Sequence, residues 1–218
     1  LGTIEMASVP TSALANFCAD FVALDLPFVF DDKETAYAAL DGEFGDYFFK
    51  ELEDINIKGV SWSENGFRNI SSNKAVRTLE DMKGQKIRVM ESQVYLSTMK
   101  AFGANPTPMA FNELYTGLSQ GTVDGQDNGF STTISFSWYE VTKSVTVTGH
   151  MISAGVVTIS ENVWQSLSPE LQEILSEGVR QACEYISQTT IDQEASDVAF
   201  LEENGISVYY LSDEELAA

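Results

Sequence analysis

The sequence is poor in the residues on which many enzyme mechanisms depend. It contains one histidine, His150, and only two cysteines, Cys18 and Cys183. Ser/His/Asp and Cys/His mechanisms need a histidine base, so all such chemistry would depend on His150. The GxSxG, GxxxxGK[ST] and GxGxxG patterns of hydrolases, NTPases and dinucleotide-binding proteins are also absent from the sequence. The sequence therefore disfavours an enzyme and predicts no catalytic residue and no cofactor.

Metal-binding patterns are missing as well. The two cysteines form neither a CxxC motif nor the Cys/His spacing of a zinc site. We interpret them as separate buried small hydrophobic residues, with a single disulfide as the alternative. Asp124 and Asp127 in VDGQDN lack the spacing of a calcium loop, and a tight turn explains them equally well. We predict no metal site.

Basic residues and long apolar runs are scarce. The sequence has 12 Lys plus Arg and 33 Asp plus Glu, which gives a net charge of −21. Such a chain repels phosphate backbones and anionic lipid, so it disfavours nucleic-acid and membrane-surface partners. The longest uncharged stretch, 144–160, is too short and too polar for a membrane span. The first ten residues have neither the basic nor the apolar region of a secretory signal.

One segment of this acidic chain is neutral. Residues 61–128 hold seven acidic and seven basic side chains, including three of the four arginines. Arg88 lies in the strand-like run KIRVM, where alternation places it on the face opposite its two neighbours. We expect Arg68 and Arg88, with Asn128, to line an anion site, because a guanidinium pairs with a carboxylate through two parallel hydrogen bonds. A surface ion pair remains the alternative for any one arginine.

Short β-rich runs alternate with helical patterns, which is typical of an α/β protein. Helix signals end at Gly103 and at Gly121. Ser168 and Pro169 begin a helical pattern that continues to Gly205. A helix of about 35 residues would be on the order of 50 Å long, so it either bridges two lobes or bends. The predicted strands are Thr3–Met6, Ile57–Trp62, Lys86–Met90, Ser144–Thr148, Val156–Ile159 and Ile206–Tyr210.

Several long runs of the sequence match the blocks of a known family. The main ones are LEDMKGQKIRVMES, MKAFGANPTPMAFNELYTGLSQGTVDGQDN, FSWYEVTKSVTVTGH and ISENVWQSLSPELQEIL, preceded by LGTIEMASVP, VALDLPFVF and GFRNISSNK. In this order they resemble the extracytoplasmic solute-binding subunits of tripartite ATP-independent periplasmic (TRAP) transporters, the DctP-like family. The resemblance covers essentially the whole chain.

The resemblance implies a two-lobed, periplasmic-binding-protein-like α/β fold, with lobes joined by crossing strands and a long helix. Residues 1–65 with about 154–190 would form lobe 1, and about 66–153 with 191–218 would form lobe 2, which carries the arginines. The implied function is capture of a small organic carboxylate, such as a C4-dicarboxylate or a sugar acid, by an arginine salt bridge and lobe closure. A sensor ectodomain of the same fold and, less favoured, an enzyme acting on a small acid are the alternatives.

The resemblance also assigns residues to the ligand. Arg88 matches the arginine that pairs with the ligand carboxylate, and Arg68 matches a second arginine that often contacts the ligand. Asn128 matches the Asn of the GQDN block, and Phe111 matches an aromatic residue that packs on the ligand body. A core position for Phe111, a turn cap for Asn128 and an ion pair with Glu64 or another acid for Arg68 remain open.

Further assignments complete the predicted site. Glu91 and Ser92, just after the KIRV strand, and Ser8, after the first strand, fall where the family places variable specificity contacts. For His150 the resemblance implies a buried polar network with Asp127 rather than catalysis.

The family also implies partners and a location. Its members work with TRAP membrane permease subunits outside the cytoplasm, so we expect a periplasmic or extracytoplasmic monomer whose partners are a small organic acid and the permease. We expect no direct membrane insertion. Members usually carry a signal peptide and further strands and helices before the block that resembles LGTIEMA, and more helix after LSDEELAA, so we expect sequence on both sides of this chain.

Overall fold

Residues 3–216 are described by the structure, a computed structural model. The chain divides into two compact units. The first unit contains the described residues up to Asp25, together with Val29–Gly66 and Ile152–Ile191. The second unit contains Leu26–Phe28, Phe67–Met151 and the described residues from Asp192 onwards. Each unit is therefore built from segments that are distant in sequence.

The strands form one sheet in each unit. In chain order they are β1 (Met6–Pro10), β2 (Ile57–Phe67), β3 (Asn69–Ser72), β4 (Lys86–Val89), β5 (Asn105–Pro108), β6 (Gly125–Asn128), β7 (Ser144–Val147), β8 (Ile152–Ser160) and β9 (Ser207–Tyr210). The first unit's sheet has the order β1-β8-β2, and the second unit's sheet has the order β5-β4-β6-β3-β7-β9. In the larger sheet β4 is parallel to both β5 and β6, whereas β3 is antiparallel to both β6 and β7.

Helices connect most of these strands. They are α1 (Thr11–Leu14), α2 (Lys33–Leu40), α3 (Glu43–Glu53), α4 (Leu79–Met82), α5 (Gln93–Ala101), α6 (Leu114–Ser119), α7 (Phe130–Ser135), α8 (Glu161–Ser166), α9 (Pro169–Glu203) and α10 (Asp213–Leu216). Short 3-10 helices cover Ala19–Asp25, Phe111–Glu113 and Trp138–Val141. The α/β class expected from the sequence is confirmed.

Local sequence explains how the longest helix begins and ends. The Ser168 hydroxyl accepts a hydrogen bond from the Leu171 backbone N–H at 3.3 Å, which satisfies a free donor of the first turn. Pro169 follows at the first helical position, where its missing N–H costs nothing. Gly205, just beyond the last turn, has φ +83°, a conformation that glycine adopts without a Cβ clash.

The core of the second unit holds its parallel strands against the helices that follow them. Ile87 and Val89 of β4 pack in one buried cluster with Tyr95 and Met99 of α5. Because α5 is held in this way, the turn between β4 and α5 is fixed in position. Two further clusters lie around α6 and around the end of α9; their buried members are Leu114, Leu118, Val123 and Trp138, and Phe130, Val145, Leu201 and Ile206.

Three sequence predictions can be compared with these elements. The strand expected at Thr3–Met6 is wrong: β1 begins at Met6, so Ser8 lies inside this strand and not after it. The helix expected from Asn112 starts as a 3-10 turn before α6 begins. Cys18 and Cys183 are both free and buried, which confirms the interpretation as separate residues.

Candidate functional site

The predicted residues of the second unit gather at one edge of its sheet. Strands β4, β5 and β6 run in the same direction, so their carboxyl ends share an edge. Antiparallel β3 starts at this edge, where Asn69 lies opposite Asn128. The carboxyl edge of a mostly parallel sheet is where α/β proteins place their ligands. Sequence segments around residues 68, 88–92, 111, 127–128 and 150 meet there.

Arg88 lies in the middle of the sheet at this edge. As the third residue of β4 it pairs in register with Thr107 of β5 and Gln126 of β6, and it is only 2% exposed. Its Nε donates to the Met109 carbonyl at 2.9 Å. Among residues 3–216, none accepts a hydrogen bond from Arg88 Nη1, and no carboxylate forms an ion pair with the guanidinium. A buried cation with a free N–H group needs an anion from elsewhere.

The surroundings of Arg88 disfavour its positive charge. Burial and then the neighbouring charge of Arg68 lower the pKa of Arg88 to about 10, although Asp127 and Tyr95 act in the opposite direction. The guanidinium still carries its charge at neutral pH. A ligand carboxylate next to it would remove both the desolvation cost and the repulsion from Arg68.

Phe111 lies close to Arg88 and forms part of an aromatic surface. The Arg88 Cζ atom is 6.0 Å from the centre of the Phe111 ring. Phe111 is 41% exposed and contacts Phe136 and Trp138, with ring centres 4.7 and 5.1 Å away. Phe111 is therefore not a core residue but an exposed ring beside a buried cation. It can pack on the apolar part of a ligand whose carboxylate reaches Arg88.

Arg68 is occupied by a partner within the protein. Its Nε donates to Asp127 Oδ2 at 2.6 Å, and its Nη2 donates to the Asp127 backbone carbonyl. The Arg68 Cζ atom lies 5.1 Å from the centre of the Tyr95 ring. Arg68 therefore forms an ion pair within the protein, which was the alternative to a ligand contact. Its partner is Asp127 and not Glu64. This pair fixes Arg68 next to Arg88.

Asp127 and His150 continue this buried network. Both are fully buried, and His150 Nε2 lies 3.4 Å from Asp127 Oδ2. On its other side His150 Nδ1 is 2.7 Å from the Thr148 hydroxyl oxygen. Burial alone would raise the pKa of Asp127, but the charge of Arg68 and the contacts with His150 and Arg68 hold it well below its usual range. Asp127 is thus a carboxylate at neutral pH and neutralises Arg68. Arg88 is left without a carboxylate partner among residues 3–216.

Asn128 belongs to a neighbouring set of amide and hydroxyl groups. It is the last residue of β6, and its Nδ2 donates to Gln126 Oε1 at 2.6 Å. Gln126 Nε2 in turn donates to the Ser71 hydroxyl at 2.6 Å. Gln126 is completely buried, lies opposite Arg88 in the register, and was missed by the sequence reasoning. The position of Gln126 in the GQDN run was the one sequence signal for a role at this site. A single sequence does not show that the Gln126 amide accepts a hydrogen bond from Asn128.

The remaining predicted residues, Glu91, Ser92 and Ser8, lie in different units. Glu91 is exposed in the bend after β4, and the half-buried Ser92 is the N-cap residue of α5 without a side-chain capping bond. Glu91 and Ser92 are thus three and four residues from Arg88 at the same edge. Ser8 lies in the first unit, where its hydroxyl is 3.1 Å from that of Ser63.

The described residues contain neither a metal-binding cluster nor a membrane-spanning helix. No group of three or more His, Cys, Asp and Glu side chains in residues 3–216 could hold a metal ion. Within the same residues, no helix has both the length and the apolar character needed to cross a bilayer.

Comparison with known proteins identifies the family. The model of the family described as bacterial extracellular solute-binding protein, family 7 (DctP) matches residues 1–218. The chain therefore belongs to this family, and the family expected from the sequence blocks is confirmed. Members are solute-binding proteins of transporters.

Individual relatives agree with this assignment. The chain is 37% identical over 209 residues to a solute-binding protein of Verminephrobacter eiseniae and 34% identical over 208 residues to the 2,3-diketo-L-gulonate-binding periplasmic protein of Escherichia coli. Each alignment covers 95% of this chain, and 62% and 63% of the respective relative. The chain thus spans less than two thirds of their length.

A solved structure shows the same fold. The crystal structure of a TRAP periplasmic solute-binding protein from Polaromonas sp. JS666, bound to D-erythronate, superimposes with a TM-score of 0.94 at 34% sequence identity. The match covers 99% of this chain and 72% of that chain. This match confirms the solute-binding fold that the sequence resemblance implied.

Proposed function

We propose that this chain acts as an extracytoplasmic solute-binding protein of a TRAP-type transporter, and that it captures a small organic carboxylate. The observation that carries the proposal is Arg88: a guanidinium 2% exposed, without a carboxylate partner among the described residues, at the ligand-binding edge of an α/β sheet. A ligand carboxylate would complete an ion pair for which the cation is already positioned.

The ligand class follows from the groups around Arg88. The guanidinium binds the carboxylate, Asn128 and Ser92 offer polar contacts, and the exposed ring of Phe111 contacts the carbon skeleton. A sugar acid or a related hydroxy or keto acid has all three kinds of surface. Two of the similar proteins bind such acids, namely 2,3-diketo-L-gulonate and D-erythronate. C4-dicarboxylates are the neighbouring ligand class within the same proposal.

Binding would leave the ligand chemically unchanged. His150, the one histidine, is fully buried against Asp127 and Thr148 and so is held as part of a polar network. The released solute would pass to the TRAP permease subunits, and the protein would act in the periplasm or another extracytoplasmic space. Mass spectrometry of ligand recovered after long incubation should return only the starting acid, and a new product would contradict this part of the proposal.

A thermal-shift screen tests the proposal directly. The chain is heated with sugar acids, keto acids and C4-dicarboxylates, each beside its uncharged amide or alcohol analogue. A ligand at about 100 times its Kd adds about 2.7 kcal/mol of stability, which for this chain length corresponds to about 5 to 10 °C in Tm. A shift with one acid and none with its uncharged analogue supports the proposal. A cooperative transition that no acid moves would contradict it.

A further inference from the structure

A row of polar side chains crosses one face of the larger sheet at the candidate carboxylate site. Gln126 of β6 lies in register with Arg88 of β4 on one side and with Ser71 of β3 on the other. Residues paired in register point to the same face of a sheet, and so do residues two apart on one strand. The side chains of Arg88, Gln126, Ser71 and Asn128 therefore share one face. Gln126 is completely buried, so a ligand at the edge does not reach it.

The orientation of the Gln126 amide is fixed by two hydroxyl groups. Its Nε2 donates to the Ser71 hydroxyl at 2.6 Å and lies 3.4 Å from the Thr133 hydroxyl. The Thr133 hydroxyl has a single proton, which it donates to the Gly129 carbonyl at 3.0 Å, so it can only accept a hydrogen bond from Gln126. The nitrogen of the Gln126 amide therefore faces Ser71 and Thr133, and the oxygen faces away from them.

The Gln126 oxygen in turn orients the amide of Asn128. Asn128 Nδ2 lies 2.6 Å from Gln126 Oε1, because only the nitrogen end of the Asn128 amide can donate to that oxygen. The other end of the amide, Oδ1, accepts a hydrogen bond from no residue among 3–216. Asn128 is the last residue of β6 and is 7% exposed, whereas Gln126 is not exposed at all. An open hydrogen-bond acceptor therefore lies at the carboxyl edge of the sheet.

Arg88 reaches the same edge from the neighbouring strand. Its Nε donates at 2.9 Å to the carbonyl of Met109, the residue that follows β5. The guanidinium therefore lies at the carboxyl edge, one strand away from the Asn128 amide. Neighbouring strands are about 4.8 Å apart. A small acid whose carboxylate pairs with Arg88 can thus place an adjacent hydroxyl group against Asn128 Oδ1.

We propose that Gln126 is a positioning residue of the carboxylate site, and that through Asn128 it selects acids with a hydroxyl group on the carbon next to the carboxylate. Gln126 holds Asn128 so that Oδ1 faces the ligand, and the ligand hydroxyl donates to this oxygen. A deoxy acid or a keto acid has no donor at that carbon and leaves the acceptor without a partner. This proposal rests on the proposed function, because it needs a ligand carboxylate on Arg88.

Matched acids test the proposal by isothermal titration calorimetry. L-Lactate is compared with propionate, L-malate with succinate, and D-erythronate and D-gluconate with their 2-deoxy analogues. In the pair that binds most tightly, the hydroxy acid should bind about tenfold more tightly than its partner, which is the value of one hydrogen bond. A ratio below about threefold overturns the proposal. If a keto acid binds and none of the four pairs does, this proposal fails and the proposed function stands. If no acid of any class binds, both fail.

Variants assign the preference to Gln126. Gln126→Met keeps the length of the side chain but removes the amide, so it should lower the preference for the hydroxy acid by about threefold or more. The deoxy acid, held by Arg88, should keep its affinity; an equal loss for both acids overturns the positioning role. Gln120→Met makes the same change at an exposed position and should preserve the preference. If Gln126→Met does not fold, Ser71→Ala decides the matter, because it removes the 2.6 Å contact that fixes Gln126. An unchanged preference in Ser71→Ala then overturns the proposal.

Discussion

Arg68 and Arg88 have the same side chain, similar burial and neighbouring positions, yet they have different roles. Arg68 is neutralised by Asp127 at 2.6 Å, whereas Arg88 has no carboxylate partner within the described residues. A buried cation that lacks its anion is costly to the folded protein. That cost is removed when a ligand carboxylate arrives, so the free energy of binding should depend on Arg88 far more than on Arg68.

Substitution of Arg88 tests this difference. Arg88→Ala should weaken binding of the best acid by about 2 to 5 kcal/mol, because the ligand carboxylate would be buried without its cation. Arg88→Lys should weaken it by about tenfold, since the ammonium keeps the charge but loses the planar pair of donors. Isothermal titration calorimetry gives both values. Arg77→Ala removes an exposed arginine and should leave the affinity unchanged; equal losses in Arg77→Ala and Arg88→Ala would contradict the assignment.

Asp127 should be more important for stability than any surface acid. Asp127→Asn leaves the buried Arg68 charge without its counter-charge and should cost about 3 to 5 kcal/mol in the free energy of unfolding. Asp31→Asn, at an exposed position, is the matched control and should cost almost nothing. Urea unfolding measures both. A loss of less than about 1 kcal/mol in Asp127→Asn would show that the pair does not stabilise the fold.

The pH dependence of this stabilisation has a definite sign. The pKa of Asp127 is lower in the folded protein than its usual value, which is about 3.9 in an unfolded chain. Its contribution is therefore fully present above about pH 4 and decreases as the pH falls towards the folded-state value. The difference in unfolding free energy between wild type and Asp127→Asn should be constant near neutral pH and shrink in acid. A difference that grows in acid would contradict the ion pair.

Helix α9 contains a glycine, Gly178, at a position that has room for a side chain. Gly178 lies mid-helix, and a Cβ built there would meet no atom within 4 Å. Gly178→Ala should therefore stabilise the protein by about 0.5 to 1 kcal/mol, because alanine has the better helix propensity. Thermal unfolding should show a Tm higher by about 1 to 4 °C.

Gly205 is the matched control for this substitution. A Cβ at Gly205 also has open space, but the residue has φ +83°. Gly205→Ala should therefore destabilise the protein, since only the backbone conformation differs between the two sites. If both substitutions stabilise, or both destabilise, backbone conformation at the end of α9 is not the deciding factor.

Elements differ in how well the sequence predicts them. The long helix was predicted correctly because Ser168, Pro169 and Gly205 mark its ends. Strand β5 was missed because it reads Asn-Pro-Thr-Pro, and proline normally argues against a strand. The sheet tolerates it because β5 is an edge strand, where one side needs no backbone donor. Whether a strand lies at the edge of a sheet depends on the tertiary structure, which the local sequence does not reveal.

The candidate site shows the same limit. Alternation in KIRVM and the neutral charge of residues 61–128 pointed to Arg88 and Arg68, with Asn128 as a polar neighbour, and the family blocks added Phe111. The choice of Asp127 as the partner of Arg68 could not be made from spacing, because these residues are 59 positions apart and meet only through the pairing of β3 with β6. The ligand contacts themselves stay predictions.

For the whole molecule, the net charge of −21 should control the response to salt. Self-repulsion among surface carboxylates opposes the compact state, and added ions screen it. Tm should rise as choline chloride is increased from about 0.01 M, where the Debye length is about 30 Å, to about 1 M, where it is about 3 Å. A Tm that falls over this range would contradict self-repulsion as the dominant effect.

The two buried, unpaired thiols make the protein suitable for selective labelling. Cys18 and Cys183 are 7% and 5% exposed, and burial, together with nearby acidic groups, raises the pKa of the Cys18 thiol. A protonated, covered thiol reacts slowly with maleimides. An added cysteine at exposed Glu91, three residues from Arg88, could thus carry a fluorophore without removal of either native cysteine. The labelled protein would report the arrival of an acid at the sheet edge as a change in emission.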